Sequence, residues 1–440
     1  MQKRLLYTLC VFLILPAFNN THAQDIRGVA VTGKSSVKNS KPISKQVSHE
    51  VNAKNGSFIR VVSAAGKLNI KSWNQSKVKV TVDIEYDSSL QSRSDEEWFE
   101  SLGISVKPFS DRVDIITRKG INAGFYSVYG KPKADIISSR AVPSQSNLFG
   151  TAQKATTVYG LTSGARAKYN SFITDKTTIK SMTIQLPAGC KLDVDNEYGD
   201  VIIGMDLDEA KLEISNGTLD AGNIKDLTLI GKYCNANLGD IAKAEVEFTN
   251  GTFRARTIGE LDMESKSSTI DYENGHYLYM RSETDHYTIE KIDKIDGRKV
   301  YGSIKVDELG ESFDLDGNNV DIKIRNINPN VSLIKINNKY GDVRLPVRNL
   351  KNYFVDFNGY YSTVFAPFQK EVVKEDEEVK EKELSKTDTK IESVYVRSLS
   401  RTSALAGELA PHHFTGTVGD VSGKHTRFEL TCHSCTLDFK

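Results

Sequence analysis

The octapeptide NEYGDVII begins at Asn196, and a near copy, NKYGDVRL, begins at Asn338. Between and beyond them, turn-forming triplets recur at nearly even spacing. They fall at Tyr198-Gly199-Asp200, Asn216-Gly217-Thr218, Asn235-Ala236-Asn237, Asn250-Gly251-Thr252, Ser267-Ser268-Thr269 and Asp285-His286-Tyr287. They continue at Tyr301-Gly302-Ser303, Gly317-Asn318-Asn319, Tyr340-Gly341-Asp342 and Asn358-Gly359-Tyr360. Nine steps lead from Gly199 to Gly359, each of about 18 positions, so the two octapeptides stand eight steps apart in the same phase. A period this short holds two strands and two corners and leaves no room for a helix.

Short runs of alternating polar and apolar residues flank each turn. KLDV (191–194) precedes Gly199 and VII (201–203) follows it; EVEF (245–248) precedes Gly251 and TF (252–253) follows it. Alternation with period two marks strands that bury one face. Gly or Asn at the turn supplies the positive φ that tight turns need. Such units form either a meander of hairpins or a solenoid whose coils stack their strands in parallel. A meander needs a second sheet to cover its apolar face, whereas a coil buries each strand against the opposite side of the same coil. The reading is therefore an all-β, right-handed parallel β-helix of about 18-residue, two-strand coils.

Residues 50–118 read as the first β rungs, and they contain SDEEWFESLG, a short helix. Ser94 is its N-cap, Glu97 completes a capping box and Gly103 stops it. A helix there suits a cap over the open end of the stack. Residues 119–179 are Gly-, Ser- and Tyr-rich without periodicity and read as a long excursion. Residues 180–369 carry the solenoid repeats. Residues 370–391, beginning KEVVKEDEEVKEKEL, read as a solvated charged insertion, and 392–440 return to strand–turn rhythm.

The N-terminus reads as an export signal. Lys3 and Arg4 precede the apolar run Leu5–Phe18, and Thr21-His22-Ala23 offers small residues for cleavage after Ala23, leaving a flexible 24–49 segment. The run is shorter than the roughly 20 residues of a membrane span. Loss of Lys3 and Arg4 takes the net charge from +1 to −1. A chain this close to neutral lacks the basic footprint of a nucleic-acid binder, and it has no basic amphipathic helix for a membrane surface. The expectation is a bacterial protein of the periplasm or outer cell surface, with a glycan or another envelope protein as partner.

Three constellations bear on chemistry. Acids follow turn glycines at Asp200, Asp240, Asp342 and Asp420. A calcium cage needs several oxygens converging on one ion, whereas these acids are separated by many strands, so they read as turn formers. Cys432 and Cys435 stand at C-x-x-C spacing with His433 between them and His412, His413 and His425 upstream. A disulfide clamping the last turn, free thiols, and a metal site all remain open there; Cys190 and Cys234 read as small core residues. Tyrosines precede or follow turn glycines at Tyr198, Tyr301, Tyr340 and Tyr360. They either stack on sugar rings or stack on one another with their hydroxyls in water. No G-x-S-x-G, H-E-x-x-H or phosphate-cradling loop occurs, and no catalytic, cofactor-binding or metal-binding residue is assigned.

The YGDV turns at Tyr198 and Tyr340, the SNGTL (215–219) and TNGTF (249–253) turns and the strand GKLNIKSW (66–73) resemble a bacterial family of envelope proteins. Its members are labelled "putative adhesins" and are related to auto-transporter adhesin head domains. The resemblance spans roughly 50–118 and 180–440. It implies a β-solenoid, export and a non-enzymatic role, and it supplies no catalytic residues. The functional expectation is an exported, non-catalytic adhesin or surface scaffold. A polysaccharide-acting β-helix enzyme and an envelope-stress or signalling accessory are the alternatives.

Overall fold

An inward-facing residue every second position makes a strand, and a three-residue step between inward residues makes a corner. Within β11 (Ile224–Thr249) the buried positions run Leu227, Leu229, Gly231, Cys234, Ala236, Leu238, Ile241 and Ala244. The steps of three fall after Gly231, Leu238 and Ile241, and Ala244 begins the cycle that Leu227 began. The length of that cycle, 17, is also the separation of side chains bonded from strand to strand, such as Asn237 to Asp220. An odd period is compatible with period-two strands because the corners absorb the surplus positions. The same cycle then repeats: Ala244, Val246 and Phe248 occupy the positions of Leu227, Leu229 and Gly231.

The computed structural model describes residues 42–64, 66–86, 93–117, 177–373 and 412–440, all in the compact unit Lys41–Lys440. The signal peptide expected at 1–23 and the bulk of the 24–49, 119–179 and 370–391 segments lie outside the described residues. Among the described residues, nineteen strands join in one sheet, with one α-helix. In the centre the pairing is parallel. β10 (Leu207–Ala221) pairs with β11, β11 with β12 (Thr252–Lys266), and β12 with β13 (Thr269–Ile327). Each of these pairings has a register offset of 17, as in Asn237 with Asp220 and Lys266 with Glu283. The offset is 18 between β10 and both β8 (Lys191–Asn196) and β9 (Asp200–Gly204). It is 21 between β13 and β14 (Leu333–Arg344). The average step read from the sequence therefore conceals a shorter central repeat with longer steps beyond it. The core follows from this pairing: one continuous column of buried Ile, Leu, Val and Phe runs through the stack.

Sequence order and stacking order part company at both ends. β2 (Phe58–Ser63) lies between β6 (Arg112–Thr117) and β8, parallel to both. β3 (Lys67–Trp73) lies in the same way between β7 (Thr178–Pro187) and β9. At the other end, β19 (Thr426–Asp438) lies between β14 and β15 (Tyr353–Tyr360), parallel to each. The expectation of an all-parallel stack is corrected at these ends. β1 (Ile43–Asn52), β4 (Lys77–Tyr86) and β7 pair antiparallel, β5 (Ile104–Pro108) pairs antiparallel with β6, and β18 (His413–Val418) pairs antiparallel with β15. An exposed parallel edge is a template for another chain; at these ends the pairing turns antiparallel instead, and of these pairs only β5 and β6 are joined by a short connection.

The helix α1 (Asp95–Ser101) forms where the sequence places it. The Ser94 hydroxyl accepts from the Glu97 N–H, and the Glu97 carboxylate accepts from the Ser94 N–H. Its Trp98 and Phe99 are buried, Trp98 against Tyr86 of β4.

At the Asn-Gly corners, the asparagine takes the left-handed conformation (φ 56° at both Asn216 and Asn250). The glycine is required for a different reason: the next strand passes over its Cα. A methyl group at Gly251 would collide with the Cys234 carbonyl oxygen one strand away. Gly251→Ala is expected to lower stability by about 1–3 kcal/mol, read as a lower midpoint in urea unfolding. An unchanged midpoint would mean that the strands there are not at sheet spacing.

Candidate functional site

Among the described residues, left-handed φ values outside glycine are confined to one corner column. They occur at Asn216, Tyr233, Asn250, Ser267, Thr284, Tyr301, Asn319, Tyr340, Tyr361 and Ser434, all between 51° and 61°. The pairing registers set these residues one above another. Asn216 is flanked by pairs that put it opposite Tyr233, Ser267 lies opposite Thr284, and Asn319 lies opposite Tyr340. Ser434 of β19 falls between Tyr340 and Tyr361. Tyr198 extends the column below Asn216.

In stacking order the column reads Tyr198, Asn216, Tyr233, Asn250, Ser267, Thr284, Tyr301, Asn319, Tyr340, Ser434, Tyr361. Every tyrosine occupies an odd place in that order, and every even place holds Asn, Thr or Ser. Asn tolerates the left-handed region because its short amide bonds locally. A bulky tyrosine there is an outlier, and the conformation costs an L-residue about 1–2 kcal/mol. Tyr233, Tyr301, Tyr340 and Tyr361 are nevertheless 64%, 52%, 50% and 69% exposed, so burial does not offset the strain.

Of the four tyrosines singled out in the sequence, Tyr301 and Tyr340 lie on this edge and are exposed, and Tyr198 is half-buried on the same column. Tyr360 is exposed, but it stands one residue before the column and rests on His412, with ring centroids 4.4 Å apart. His433 lies edge-on to both Tyr340 and Tyr361, at 5.9 and 5.8 Å between centroids. Tyr233 and Tyr361 were missed because no glycine follows them. One period of the central repeat, counted from Asn216, would have found Tyr233. Nothing local marks Tyr361, since its place depends on β19.

A second cluster is wholly internal. Lys299 and Asp285 are both 0% exposed. The Asp285 carboxylate accepts from the hydroxyls of Ser265 (2.7 Å) and Ser282 (2.6 Å) and from the N–H groups of Ser268 (2.6 Å) and Glu283 (3.1 Å). Lys299 Nζ donates to Ser282 Oγ (2.9 Å) and to the Asp285 carbonyl (2.7 Å), and it lies 5.2 Å from the centre of the Tyr287 ring. Ser265 has one hydroxyl proton and gives it to Asp285, so in the 2.6 Å contact between Ser265 and Tyr287 the phenol is the donor. Burial lowers the Lys299 ammonium to about 8, against the pull of Asp285. Burial also raises the phenols of Tyr287 and Tyr272. The cluster has acid–base components but no exposed member through which a substrate could be reached.

Of the turn acids, Asp200 and Asp240 meet residues of the neighbouring strand and Asp420 a residue of its own loop. Asp200 accepts from the Thr218 hydroxyl, Asp240 pairs with Arg256, and Asp420 accepts from Ser422. Arg256 holds the Asp240 carboxyl below the ordinary range. Among the described residues no three His, Cys, Asp or Glu side chains come together as metal ligands. The repeated octapeptides are explained by a buried asparagine in each. Asn196 Nδ2 donates to the carbonyls of Tyr198 and Gly199, and Asn338 Nδ2 donates to that of Val320.

Cys432 and Cys435 are buried free thiols on β19, at the corner that carries Ser434. The hydrogen bond between them lowers Cys435 and, together with burial, raises Cys432. Cys190 and Cys234 are also buried, and burial pushes Cys234 up to about 12.

The described residues are thus nearly all β and carry an exposed aromatic edge. The sequence matches no family model, and no curated protein matches it. Among solved structures it is similar to a "putative adhesin" from Bacteroides fragilis at 13% identity, covering 67% of this chain and 97% of that one, with TM-score 0.30. It is also similar to a "putative lipid binding protein" from Parabacteroides distasonis at 12% identity, covering 67% and 94%, with TM-score 0.31. A "putative cell adhesion protein" from Clostridium sporogenes aligns at 10% identity over 91% and 99%, with TM-score 0.13. Among the described residues no helix is long and apolar enough to cross a membrane.

Proposed function

We propose that the chain is an exported, non-catalytic β-solenoid of the bacterial cell envelope whose exposed edge serves as a binding surface, as an adhesin or a surface scaffold. The observation that carries this reading is the tyrosine column. It keeps strained, exposed aromatic residues where the fold alone would be better served by asparagine. The constant parallel offset of the central strands supports a coil path, and the right hand follows the preference of parallel crossovers. The N-terminal charge and apolar pattern support export with cleavage after Ala23. In an oxidising compartment Cys432 and Cys435 would close a disulfide that clamps the corner of β19, visible as the loss of two hydrogens in the intact mass.

The test is labelling of intact and permeabilised cells with antibody raised against the folded protein. Labelling of intact cells is the expected result. Labelling confined to permeabilised cells would remove the surface role and leave a scaffold inside the envelope.

A further inference from the structure

We infer that the edge formed by Tyr301, Tyr340 and Tyr361 is a binding site for an extended β-1,4-linked polysaccharide lying along the stack axis. This deepens the binding-surface reading above and rests on it.

The argument is one of spacing. Neighbouring strands lie about 4.8 Å apart. Tyr301 and Tyr340 are two strands apart, with Asn319 between them, and Tyr340 and Tyr361 are two strands apart, with Ser434 between them. The three side chains therefore recur about every 10 Å along a straight edge. In an extended β-1,4-linked chain successive pyranose rings are turned over. The same face, with its axial C–H groups, is presented once per disaccharide, over much the same distance. Each tyrosine then meets an equivalent sugar face. The intervening Asn319 and Ser434 supply amide and hydroxyl groups to the equatorial hydroxyls of the sugars between. An α-1,4-linked chain coils and cannot keep that register over three rings.

Two further observations point the same way. The left-handed backbone at each tyrosine is a standing cost that exposed rings do not recover within the fold, and strain of this kind gathers at ligand sites. His433 stands edge-on between Tyr340 and Tyr361. It is a positioning residue that holds two of the three rings.

The test titrates purified full-length protein with cellohexaose and with chitohexaose by calorimetry, using maltohexaose as the α-linked comparison. Binding of at least one β-linked hexasaccharide, with maltohexaose bound at least tenfold more weakly, is expected. Tyr301→Asn, Tyr340→Asn and Tyr361→Asn should each weaken that binding about two- to tenfold, the value of one aromatic contact. Tyr340→Phe should retain it. Each Asn variant should melt at or above the parent, since Asn already occupies this conformation at positions 216, 250 and 319. Tyr233→Asn makes the same change four strands from Tyr301 and should leave binding intact. Failure to bind either β-linked sugar, equal binding of maltohexaose, or undiminished binding by folded Asn variants would overturn the inference. Sugar binding by purified protein and labelling of intact cells are independent, so failure of the ladder and failure of the surface location are separable.

Discussion

Replacing Asp285 with alanine is expected to destabilise the protein by about 3–5 kcal/mol, because four donors lose their common acceptor at about 1–3 kcal/mol for each one left buried and unmet. The loss is larger than that of one hydrogen bond because several groups depend on this carboxylate. Without it, Lys299 keeps Ser282 Oγ and the carbonyl of residue 285 as partners but loses the negative charge that opposes the effect of burial on its ammonium. The Ser268 and Glu283 N–H groups and the Ser265 hydroxyl lose their acceptor, and an unmet buried donor costs about 1–3 kcal/mol. Urea unfolding followed by far-ultraviolet circular dichroism measures the effect. A shift of less than about 1 kcal/mol would show that water reaches the cluster, since hydrated groups do not need the carboxylate.

The second large effect depends on pH. An unfolded lysine holds its proton up to the ordinary value of 10.5, whereas burial lets folded Lys299 release it near 8. Between those values unfolding takes up a proton, so this residue makes stability rise with pH across that window. Below about pH 8 the full burial penalty is present, and above 10.5 it is gone. Lys299→Met has no such proton to exchange. The stability of the parent relative to Lys299→Met should therefore climb by about 3 kcal/mol from pH 8 to pH 10.5, taking each unit of displacement at about 1.4 kcal/mol. Other lysines and tyrosines titrate alike in both proteins and cancel in the difference. The groups facing Lys299 are Asp285, Ser282 and Tyr287, and burial keeps Tyr287 protonated through the window. A flat difference across that range would place the ammonium in water.

Both effects arise where the regular strand repeat turns polar inside. Ser265, Ser282 and Lys299 follow Phe248 at successive steps of 17, in a column that holds Ile214, Gly231 and Phe248 before them and the buried Asn196 and Asn338 further out. Three consecutive polar residues facing inward require partners of their own. Asp285 provides them from the corner beside Thr284, which has left-handed φ. A column that turns polar and is satisfied internally fixes the register of those strands, because a slip of one residue would strand every member.

Much of this was visible in one dimension. Period-two alternation interrupted by Gly and Asn announced short strands and corners, and the spacing of the two octapeptides preserved the phase of the stack over eight steps. Ser94 and Glu97 announced the helix. These features are local: a capping box, an alternating strand and an Asn-Gly corner are each decided by residues a few positions apart. The tyrosine edge was half legible. Tyr301 and Tyr340 carry a glycine after them, whereas Tyr233 shows only when the central period is known to be 17, as the bonded pair Asn237 and Asp220 reveals.

What the sequence could not decide is which distant strand fills each gap. β19 enters between β14 and β15, and β2 and β3 enter between strands that follow them by long stretches of chain. Parallel pairing sets a minimum but no maximum on the length of the connection, so adjacency in the chain does not determine adjacency in the sheet. The even spacing of Tyr340 and Tyr361 exists only because the last strand of the chain supplies Ser434 between them. The sequence by itself determined strands, corners and period, through steric preferences that act within a single repeat. The strand order at the ends, the polar cluster around Asp285 and Lys299, and the regular tyrosine edge were decided by tertiary pairing, because each depends on residues the chain brings together only when distant strands pair.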